Sequence, residues 1–411
     1  MKILHTADWH IGQLFHEYDR SDEHQQFLYW LTETLVLQEI DLLLVSGDVF
    51  DNANPAASSI KMFYTFLHET SKRLPHIQMI IIAGNHDSAS RLEAPKPLLE
   101  SSNIHIIGML ERTENHAINI EKLLIPIKNK TNDIILWCIA IPYLRMGDYA
   151  TIENVSNPYT ASVVQLYQDV FQLANQKKQA GQCILAMGHL HAANVDIQGH
   201  SDKDRPIMGG VECIPANAFH EDIVYTALGH IHKAQKVGGR ENVRYSGSPI
   251  PMSFSEHQYK HQVMMLEIKE DKLVNMKAIE IPILVPLLRL PKQHEKLENV
   301  LDELAKLPTK ENENKLAPYL EVRVLLDGPE PALRHLIEKA IENKQVRLAK
   351  IDVQKQQGKE NTTIETFDKL DTLKPSDIFS KIYLKTYNEE IPNTLQKLFQ
   401  DVLEETLSKE N

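Results

Sequence analysis

The chain has 411 residues, 42% of them hydrophobic, and a formal net charge of −12 at pH 7. This length allows one large core with one or two smaller units, and no apolar run approaches the roughly 18 residues that a membrane span needs. The negative charge argues against a protein that coats nucleic acid by electrostatic attraction alone, although divalent cations in a site would add local positive charge.

The cysteines and histidines indicate a compartment and a location for the chemistry. Cys138, Cys183 and Cys213 lie singly in apolar stretches. This spacing is not that of a disulfide framework and is typical of a reducing compartment, so we expect a cytoplasmic protein without membrane association. Of the 19 histidines, 17 precede residue 262. Histidine chemistry therefore belongs to the N-terminal two thirds.

The first hundred residues alternate between strand and helix. In chain order the predicted elements are a strand at 3–7, a helix at about 21–38, a strand at 42–46, a helix from Pro55 to about residue 73 and a strand at 79–83. Such alternation predicts a parallel-rich α/β sheet.

From about residue 104 the pattern changes to strands that follow one another with short connections. The predicted elements are a strand at 134–141, a helix at about 161–178, and strands at 183–187, 223–228 and 263–268. Two sheets with flanking helices predict an α/β fold of four layers, αββα, for residues 1–280.

The pattern changes near residue 280. Strands at 286–290, 319–326 and 346–353 alternate with helices at 295–305 and 331–342, which predicts a small α+β second domain at 281–353. Residues 354–374 are polar with little periodicity and are interpreted as a linker. C-terminal helices are predicted within 375–411, and the last of them, 391–407, carries an apolar stripe.

Five predicted buried strands end in side chains that can bind a metal. These ends are Asp8-Trp9-His10, Gly47-Asp48, Gly84-Asn85-His86-Asp87, Gly188-His189 and Gly229-His230-Ile231-His232. Open α/β sheets bind ligands at the carboxyl ends of their strands, so these residues can converge on one point. The glycine that precedes each of the last four is predicted to let the backbone turn sharply.

The donor set favours a pair of hard or borderline cations. Carboxylate, amide and imidazole ligands without thiolate are more typical of a site for Mn²⁺, Fe²⁺, Zn²⁺ or Mg²⁺ than of a structural zinc site. Asp48 is the predicted centre, because its two oxygens can contact two metals at once. Two metals about 3.5–4 Å apart suit an in-line displacement at phosphorus.

These motifs, in this order, resemble the calcineurin-like metallophosphoesterase superfamily. Within it, four segments resemble the Mre-type nucleases of double-strand-break repair, and the similarity extends over nearly the whole chain. The segments are Asp8-Trp9-His10-Ile11-Gly12, Gly47-Asp48-Val49-Phe50-Asp51, Gly229-His230-Ile231-His232-Lys233 and Tyr245-Ser246-Gly247-Ser248-Pro249.

The resemblance implies a role for each site residue. One metal would be held by Asp8, His10 and His232, the other by Asn85, His189 and His230, and Asp48 would bridge them. His86 would face the phosphate instead of ligating a metal, with Asp87 orienting it. The metals would be Mn²⁺, with Mg²⁺ as the alternative.

Three further residues are candidate substrate contacts. Asp51 stands where archaeal relatives place a second phosphate-facing histidine, so the resemblance implies no proton donation by a histidine at this position. His191 competes with His189 as a ligand, and we favour His189 because it follows the glycine at the strand end. The side chain of Arg145 is predicted either to contact phosphate or to form a surface salt bridge.

The implied function is a DNA nuclease of repair and recombination. By resemblance it would be a 3′→5′ exonuclease on duplexes and an endonuclease on single strands. The chain has no G-x-x-x-x-G-K-[ST] loop, so any ATP dependence requires a partner. The resemblance implies a coiled-coil ATPase, bound by the C-terminal helices, with a nuclease homodimer inside a heterotetramer.

Two alternative functions are less favoured than a nuclease. A small-molecule or nucleotide metallophosphoesterase would have no need of the second domain and the C-terminal helices. A DNA-end tethering module with secondary catalysis would have no need of a complete ligand set and His86.

The helix after Pro55 predicts a symmetric dimer. A face formed by Ile60, Phe63, Tyr64 and Leu67 is enough to cover the sheet, whereas Met62 and Phe66 lie on another side and would face water in a monomer. An isologous contact across a two-fold axis would bury that second face. The alternative is that residues 92–99 cover it within one chain.

Overall fold

The computed structural model describes residues 1–145, 147–149, 152, 155–193, 195–196, 213–310, 316–355, 383, 391–392, 395–396 and 399. The chain divides into two units, Met1–Lys355 and Gln356–Asn411. The predicted linker and C-terminal helices therefore fall almost wholly outside the described residues. Within that segment, the backbone N–H groups of Leu395 and Gln396 both donate to the Pro392 carbonyl, as at the start of a helix.

Strands outnumber helices in the described part of the chain. The strands are β1 Lys2–Thr6, β2 Leu14–Phe15, β3 Tyr18–Asp19, β4 Leu42–Ser46, β5 Gln78–Ile82, β6 Ile104–Ile107, β7 Leu124–Lys128, β8 Ile134–Ile141, β9 Cys183–His189, β10 Ile223–Gly229, β11 Gln235–Val237, β12 Arg240–Tyr245, β13 Gln262–Lys269, β14 Lys272–Glu280, β15 Leu287–Lys296, β16 Tyr319–Leu326 and β17 Arg347–Lys355. The α-helices are α1 Ser21–Leu37, α2 Ala57–Arg73, α3 Ala89–Glu93, α4 Lys96–Leu99, α5 Pro158–Lys177, α6 Leu297–Ala305 and α7 Leu333–Ile341. Among the described residues, no helix is long and apolar enough to cross a membrane.

Two six-stranded sheets form the body of the described chain. The first has the order β14-β13-β1-β4-β5-β6 and the second has the order β11-β12-β10-β9-β8-β7. The strands β1, β4, β5 and β6 are mutually parallel, as are β8, β9, β10 and β12. Parallel strands present their carboxyl ends at one edge of each sheet, so the motifs that follow β1, β4, β5, β9 and β10 can meet.

Side-chain alternation along β4 explains the layers. Leu42 and Leu44 pack in the core between the two sheets, whereas Leu43 and Val45 pack in the core beneath α1 and α2. Both faces of β4 are covered, and its sequence is accordingly a continuous apolar run. The helix α5 covers the outer face of the second sheet. The predicted four-layer αββα sandwich is confirmed.

The second domain is a three-stranded parallel sheet with helices on one face. The strands pair in the order β15-β16-β17, and α6 and α7 bury Val300, Leu304 and Ile337 against Val322. The predicted strand at 286–290 continues to Lys296, through a register shift between Leu290 and Glu295, so α6 begins two residues later than predicted. Because residues 1–355 form one unit, the boundaries at 280 and 353 stay predictions.

Two sequence expectations about α2 are wrong. Phe66 was expected to face water in a monomer, but it is 4% exposed and its ring packs edge-on against Trp9 at 5.4 Å. Trp9 follows β1 and extends the core beyond the sheet, so α2 buries the side centred on Phe63 and Phe66. Ile60, expected to be buried, is 37% exposed. Both expectations took the sheet alone as the surface beneath the helix.

Candidate metal centre

The carboxyl ends of five strands converge on one cluster of carboxylates and imidazoles. Potential ligand atoms lie within 4.8 Å of one another in three overlapping groups. The groups are Asp8, His10 and His232; Asp48, His189 and His230; and His10, Asp48 and His86. Asp48 and His10 each belong to two groups. The motifs that the sequence places at strand ends are therefore brought together in space.

Two glycines show how closely the backbone packs around this cluster. A Cβ atom on Gly47, where φ is +89°, would lie 2.2 Å from Nδ1 of His189. A Cβ atom on Gly84 would lie 2.1 Å from Oδ1 of Asp48, although the φ of Gly84 is not positive. The predicted sharp turn thus applies to Gly47 alone of the four glycines. At Gly84 the requirement is space for the neighbouring carboxylate.

Four of the clustered residues have strained backbones. The φ angles are 56° at Asp8, 46° at His10, 50° at Asp48 and 104° at His230. Such angles favour glycine, and a residue held there costs about 1–3 kcal/mol. Such strain clusters at functional sites, so the side chains at these positions are candidates for chemistry.

Asn85 and Asp48 organise the imidazoles of one side of the cluster. Oδ1 of Asn85 lies 2.9 Å from Nε2 of His189 and 3.0 Å from Nδ1 of His230. The Nδ1 atom of His189 donates to the Ser46 carbonyl at 2.8 Å, and Nε2 lies 3.2 Å from Oδ2 of Asp48. Both nitrogens of His189 therefore face acceptors, which favours its imidazolium form in the metal-free protein.

The charges of the cluster shift its titration. Burial lowers the pKa of His189, but the neighbouring Asp48 and Asp8 carboxylates outweigh it and raise that pKa from 6.5 to about 9. Burial raises the pKa of Asp48, but His189, followed by His10 and His86, holds it well below its usual value. At Asp8 burial dominates and the pKa is raised.

Metal binding should therefore release a proton from His189. A ligating imidazole must be neutral, so below pH 9 a divalent ion that binds at His189 would displace a proton, and the metal affinity would rise with pH. In the metal-free protein, the contribution of the His189 ion pair to stability changes with pH in the opposite direction. The ion pair stabilises the fold fully below pH 6.5, and this contribution is lost as pH rises through about 9.

Titration calorimetry at pH 7.5 in buffers of different ionisation enthalpy measures the proton release on metal binding. Equal heats in all buffers would contradict it, and exposed His76→Gln should leave the release unchanged.

The unsatisfied atoms of the cluster fit a bound cation. Oδ2 of Asp8 and Nε2 of His10 are buried and have no hydrogen-bond partner within the described part of the chain. Buried polar atoms in native proteins are almost always satisfied, and a divalent ion would satisfy both of these. The donors are oxygen and imidazole nitrogen, which suit Mn²⁺, Mg²⁺, Fe²⁺ or Zn²⁺. The residues present therefore fit divalent metals.

His86 belongs to one of the three groups of the cluster, and its ring is held differently from the expectation. Its Nδ1 atom lies 2.8 Å from the main-chain carbonyl of Asp51, not against the Asp87 carboxylate. The Asp87 carboxylate instead accepts backbone N–H groups from Val49, Phe50 and Gly84, at 3.2, 2.9 and 2.9 Å. Asp87 thus joins the loop after β4 to the loop after β5. Its connection to His86 is through the backbone.

The candidate substrate contacts lie at the edge of the cluster. Oδ1 of Asp51 is 3.5 Å from Nδ1 of His10. Nδ1 of His191 is 3.2 Å from Sγ of Cys213, and His191 lies outside the three groups of potential ligands. Nη2 of Arg145 donates to the Asn85 carbonyl at 3.2 Å and the side chain is exposed.

Sequence reasoning missed Glu256. This carboxylate is 2% exposed, and its Oε1 lies 3.0 Å from Nδ1 of His232. Burial raises its pKa, but the charge and hydrogen bond of His232 hold the pKa below its usual value. Glu256 follows no strand and matches no motif. Only a general rule predicts such a residue: a ligating histidine usually donates its second nitrogen to a carboxylate or carbonyl.

The fold and the site together define a class of protein. The family model of calcineurin-like phosphoesterases matches residues 1–234, and that of the Type 5 capsule protein repressor C-terminal domain matches residues 283–387. The first match includes all the clustered residues. The protein is therefore an enzyme, a phosphoesterase that uses divalent metals.

Comparison with curated relatives gives the particular family. The D subunit of the nuclease SbcCD from Rhodobacter capsulatus is 34% identical over 86% of this chain and 87% of its own length. Its counterpart in Escherichia coli K12 is 29% identical over 98% of both chains. The chain belongs to this family, the D subunits of SbcCD nucleases. A solved dimetal phosphatase from Danio rerio, 13% identical, covers 68% of this chain and 96% of that one with a TM-score of 0.38, too low to add to the argument.

Proposed function

We propose that this protein is the nuclease subunit of an SbcCD-type complex and hydrolyses DNA phosphodiesters at a two-metal centre. The observation that carries the proposal is the position of Asp48. Its Oδ2 lies 3.2 Å from Nε2 of His189 and 3.7 Å from Nε2 of His10, so one carboxylate adjoins both potential ligand groups. A shared carboxylate is what a pair of closely spaced metals requires.

The ligands are assigned from these groups. Asp8, His10 and His232 would hold one ion, Asn85, His189 and His230 would hold the other, and Asp48 would be shared between the two groups. Manganese is the proposed metal, with magnesium as the alternative. When bound, the two ions activate water and neutralise the charge of the phosphate. Asp8 and Asp48 supply two negative charges against four positive ones, so the site favours an anionic diester.

His86 is assigned to the reacting phosphate. The Asp51 carbonyl can only accept a hydrogen bond, so Nδ1 of His86 carries a proton and the ring is fixed with Nε2 on its other side. In the imidazolium form, Nε2 donates to a phosphate oxygen or protonates the leaving oxygen. Arg145 and His191 are proposed as contacts to neighbouring phosphates, whereas the Asp51 carboxylate carries the same charge as a phosphate and lies against His10 instead.

The proposed activities are 3′→5′ exonuclease on duplex DNA and endonuclease on single strands, serving repair, recombination and replication in the cytoplasm. Family membership supports a nuclease. The ATP-dependent step belongs to a partner, because the sequence lacks a G-x-x-x-x-G-K-[ST] loop. An SbcC-type coiled-coil ATPase is the proposed partner, and residues 375–411 are its proposed docking segment.

One experiment tests the function and the partner. Hydrolysis with Mn²⁺ should be measured on duplex DNA, on duplex with blocked ends, on single strands and on a mononucleotide ester, each with and without the ATPase and ATP. We expect cleavage of DNA, no significant turnover of the ester, and ATP-dependent cutting of blocked ends only with the ATPase. Turnover confined to the ester would favour a small-molecule phosphoesterase, and DNA binding without hydrolysis would favour a tether. A protein lacking residues 375–411 should retain ATP-independent cleavage and lose the effect of the ATPase.

A homodimer is proposed through α1 and α2. A groove of about 510 Å³ lies between them, lined in part by Leu28, Met62 and Phe66, and beside it Tyr29 is 61% exposed. Since Phe66 is buried, it is unsuitable for a test. Tyr29→Glu should convert a dimer into a folded monomer that keeps its metals, measured by sedimentation. A wild-type protein that sediments as a monomer at micromolar concentration would contradict the dimer, and exposed Leu98→Glu is the control.

A further inference from the structure

A short segment of chain, residues 251–256, contacts the metal centre directly and is linked to the second domain through Phe15 and Arg20. It ends in a single 3₁₀ turn, Phe254–Glu256. Glu256 contacts the imidazole of His232, and the Phe254 ring lies 5.2 Å from that of Phe15. Phe15 in turn packs on Tyr319 of the second domain at 4.6 Å. The segment therefore joins a proposed metal ligand to another part of the fold.

Hydrogen bonds hold both carboxylate oxygens of Glu256 in place beside His232. While Oε1 faces Nδ1 of His232, Oε2 accepts the Met252 N–H group at 3.0 Å and the Ser248 hydroxyl at 3.4 Å. The Ser248 N–H group donates to the carbonyl of His232 at 3.1 Å. Glu256 thus holds the ring of His232, and Ser248, which is itself bonded to Glu256, holds its backbone.

The second domain reaches this segment through a buried polar network as well as through rings. The Tyr319 hydroxyl donates to Oε1 of Glu23 at 2.8 Å. Glu23 is paired with Arg20 through two hydrogen bonds, and the two residues are 3% and 0% exposed. Nη1 of Arg20 donates to the Pro251 carbonyl at 2.6 Å. A displacement of Tyr319 would therefore disturb both ends of the 251–256 segment.

We propose that Glu256 is a positioning residue for His232, and that the second domain, through Tyr319, sets the metal affinity of the group formed by Asp8, His10 and His232. The proposal rests on the metal ligands assigned above. A neutral imidazole that donates Nδ1–H to a carboxylate is held in one tautomer and is a stronger ligand through Nε2. The second domain would then regulate one metal of the pair and leave the other unchanged.

The first test compares Glu256→Gln with the wild type by calorimetric titration of the metal-free protein with Mn²⁺. Loss of an outer partner of a ligating histidine typically weakens metal binding about 10–100-fold. We expect a loss of that size at one site only, and electron paramagnetic resonance should show single Mn²⁺ ions where the wild type shows coupled pairs. Glu241→Gln, which removes an exposed acid paired with Lys236 and Arg244, is the matched control.

The second test separates domain coupling from stability. Tyr319→Ala removes the ring that packs on Phe15, whereas Val324→Ala opens a cavity on the opposite, helix-facing side of the same strand. Both should lower the melting temperature, but only Tyr319→Ala should weaken the same Mn²⁺ site as Glu256→Gln. Tyr319→Leu replaces it if the alanine variant does not fold.

The outcomes distinguish this inference from the proposed function. A wild type that binds fewer than two Mn²⁺ ions would overturn the ligand assignment itself. If it binds two and Glu256→Gln binds both with unchanged affinity, the positioning role is wrong. If Tyr319→Ala and Val324→Ala have equal effects on metal affinity, the coupling to the second domain is wrong.

Discussion

The Asp48→Ala variant should bind neither metal and should have no measurable hydrolysis. The carboxylate adjoins both ligand groups, so its loss removes a ligand from each ion and leaves the imidazoles of His10 and His189 without a counter-charge. Metal content after equilibration with Mn²⁺ and cleavage of DNA measure the two losses together.

The His86→Ala variant should separate the same two properties. We expect both metals to be retained and hydrolysis to fall about 10²–10⁴-fold, the usual contribution of a positioned acid or base. His86 also lies within 4.8 Å of potential ligand atoms of His10 and Asp48, so it could instead ligate an ion. In that case the variant would bind one metal fewer and the assigned role would be wrong. Exposed His76→Ala controls for the loss of an imidazole.

Asp87→Ala should destabilise the fold by about 3 kcal/mol or more. The substitution leaves three buried N–H groups, those of Val49, Phe50 and Gly84, without their acceptor, and each such group costs about 1–3 kcal/mol. Urea unfolding in the presence of EDTA measures this loss without a contribution from bound metal. Asp87→Asn keeps one accepting oxygen, so its free energy of unfolding should lie between those of the wild type and Asp87→Ala.

Asp51→Ala is the matched control for that variant. Its side chain is 30% exposed, and the carbonyl that contacts His86 belongs to the main chain and is unaffected. We expect a loss below about 1 kcal/mol. Equal losses for Asp51→Ala and Asp87→Ala would contradict the role assigned to the Asp87 carboxylate.

Much of the fold was predictable because its determinants are local in sequence. The continuous apolar run of β4 indicates a strand covered on both faces, and β16 has the predicted bounds. The ends of α1 and α2 also lie within about two residues of the expectation. These features depend on side-chain periodicity and on residues such as proline at helix starts, which are independent of the rest of the chain.

The features that the sequence did not predict depend on partners distant in sequence. Phe66 is buried because Trp9, 57 positions earlier, extends the surface beneath α2. His86 contacts a carbonyl of the loop after β4, and the nearby Asp87 carboxylate is occupied by three backbone groups. Glu256 reaches His232 from a turn that carries no motif. None of these contacts leaves a pattern in the local sequence.

The kind of chemistry follows from the local sequence, because a buried strand ending in aspartate, asparagine or histidine places each donor at the carboxyl edge of a sheet whatever its neighbours are. Tertiary packing sets which donors share Asp48, which residue holds each imidazole and which helix face remains exposed. These depend on how two sheets and a second domain approach one another, and distances of 3 Å across 24 to 296 residues of chain are set by packing rather than by periodicity.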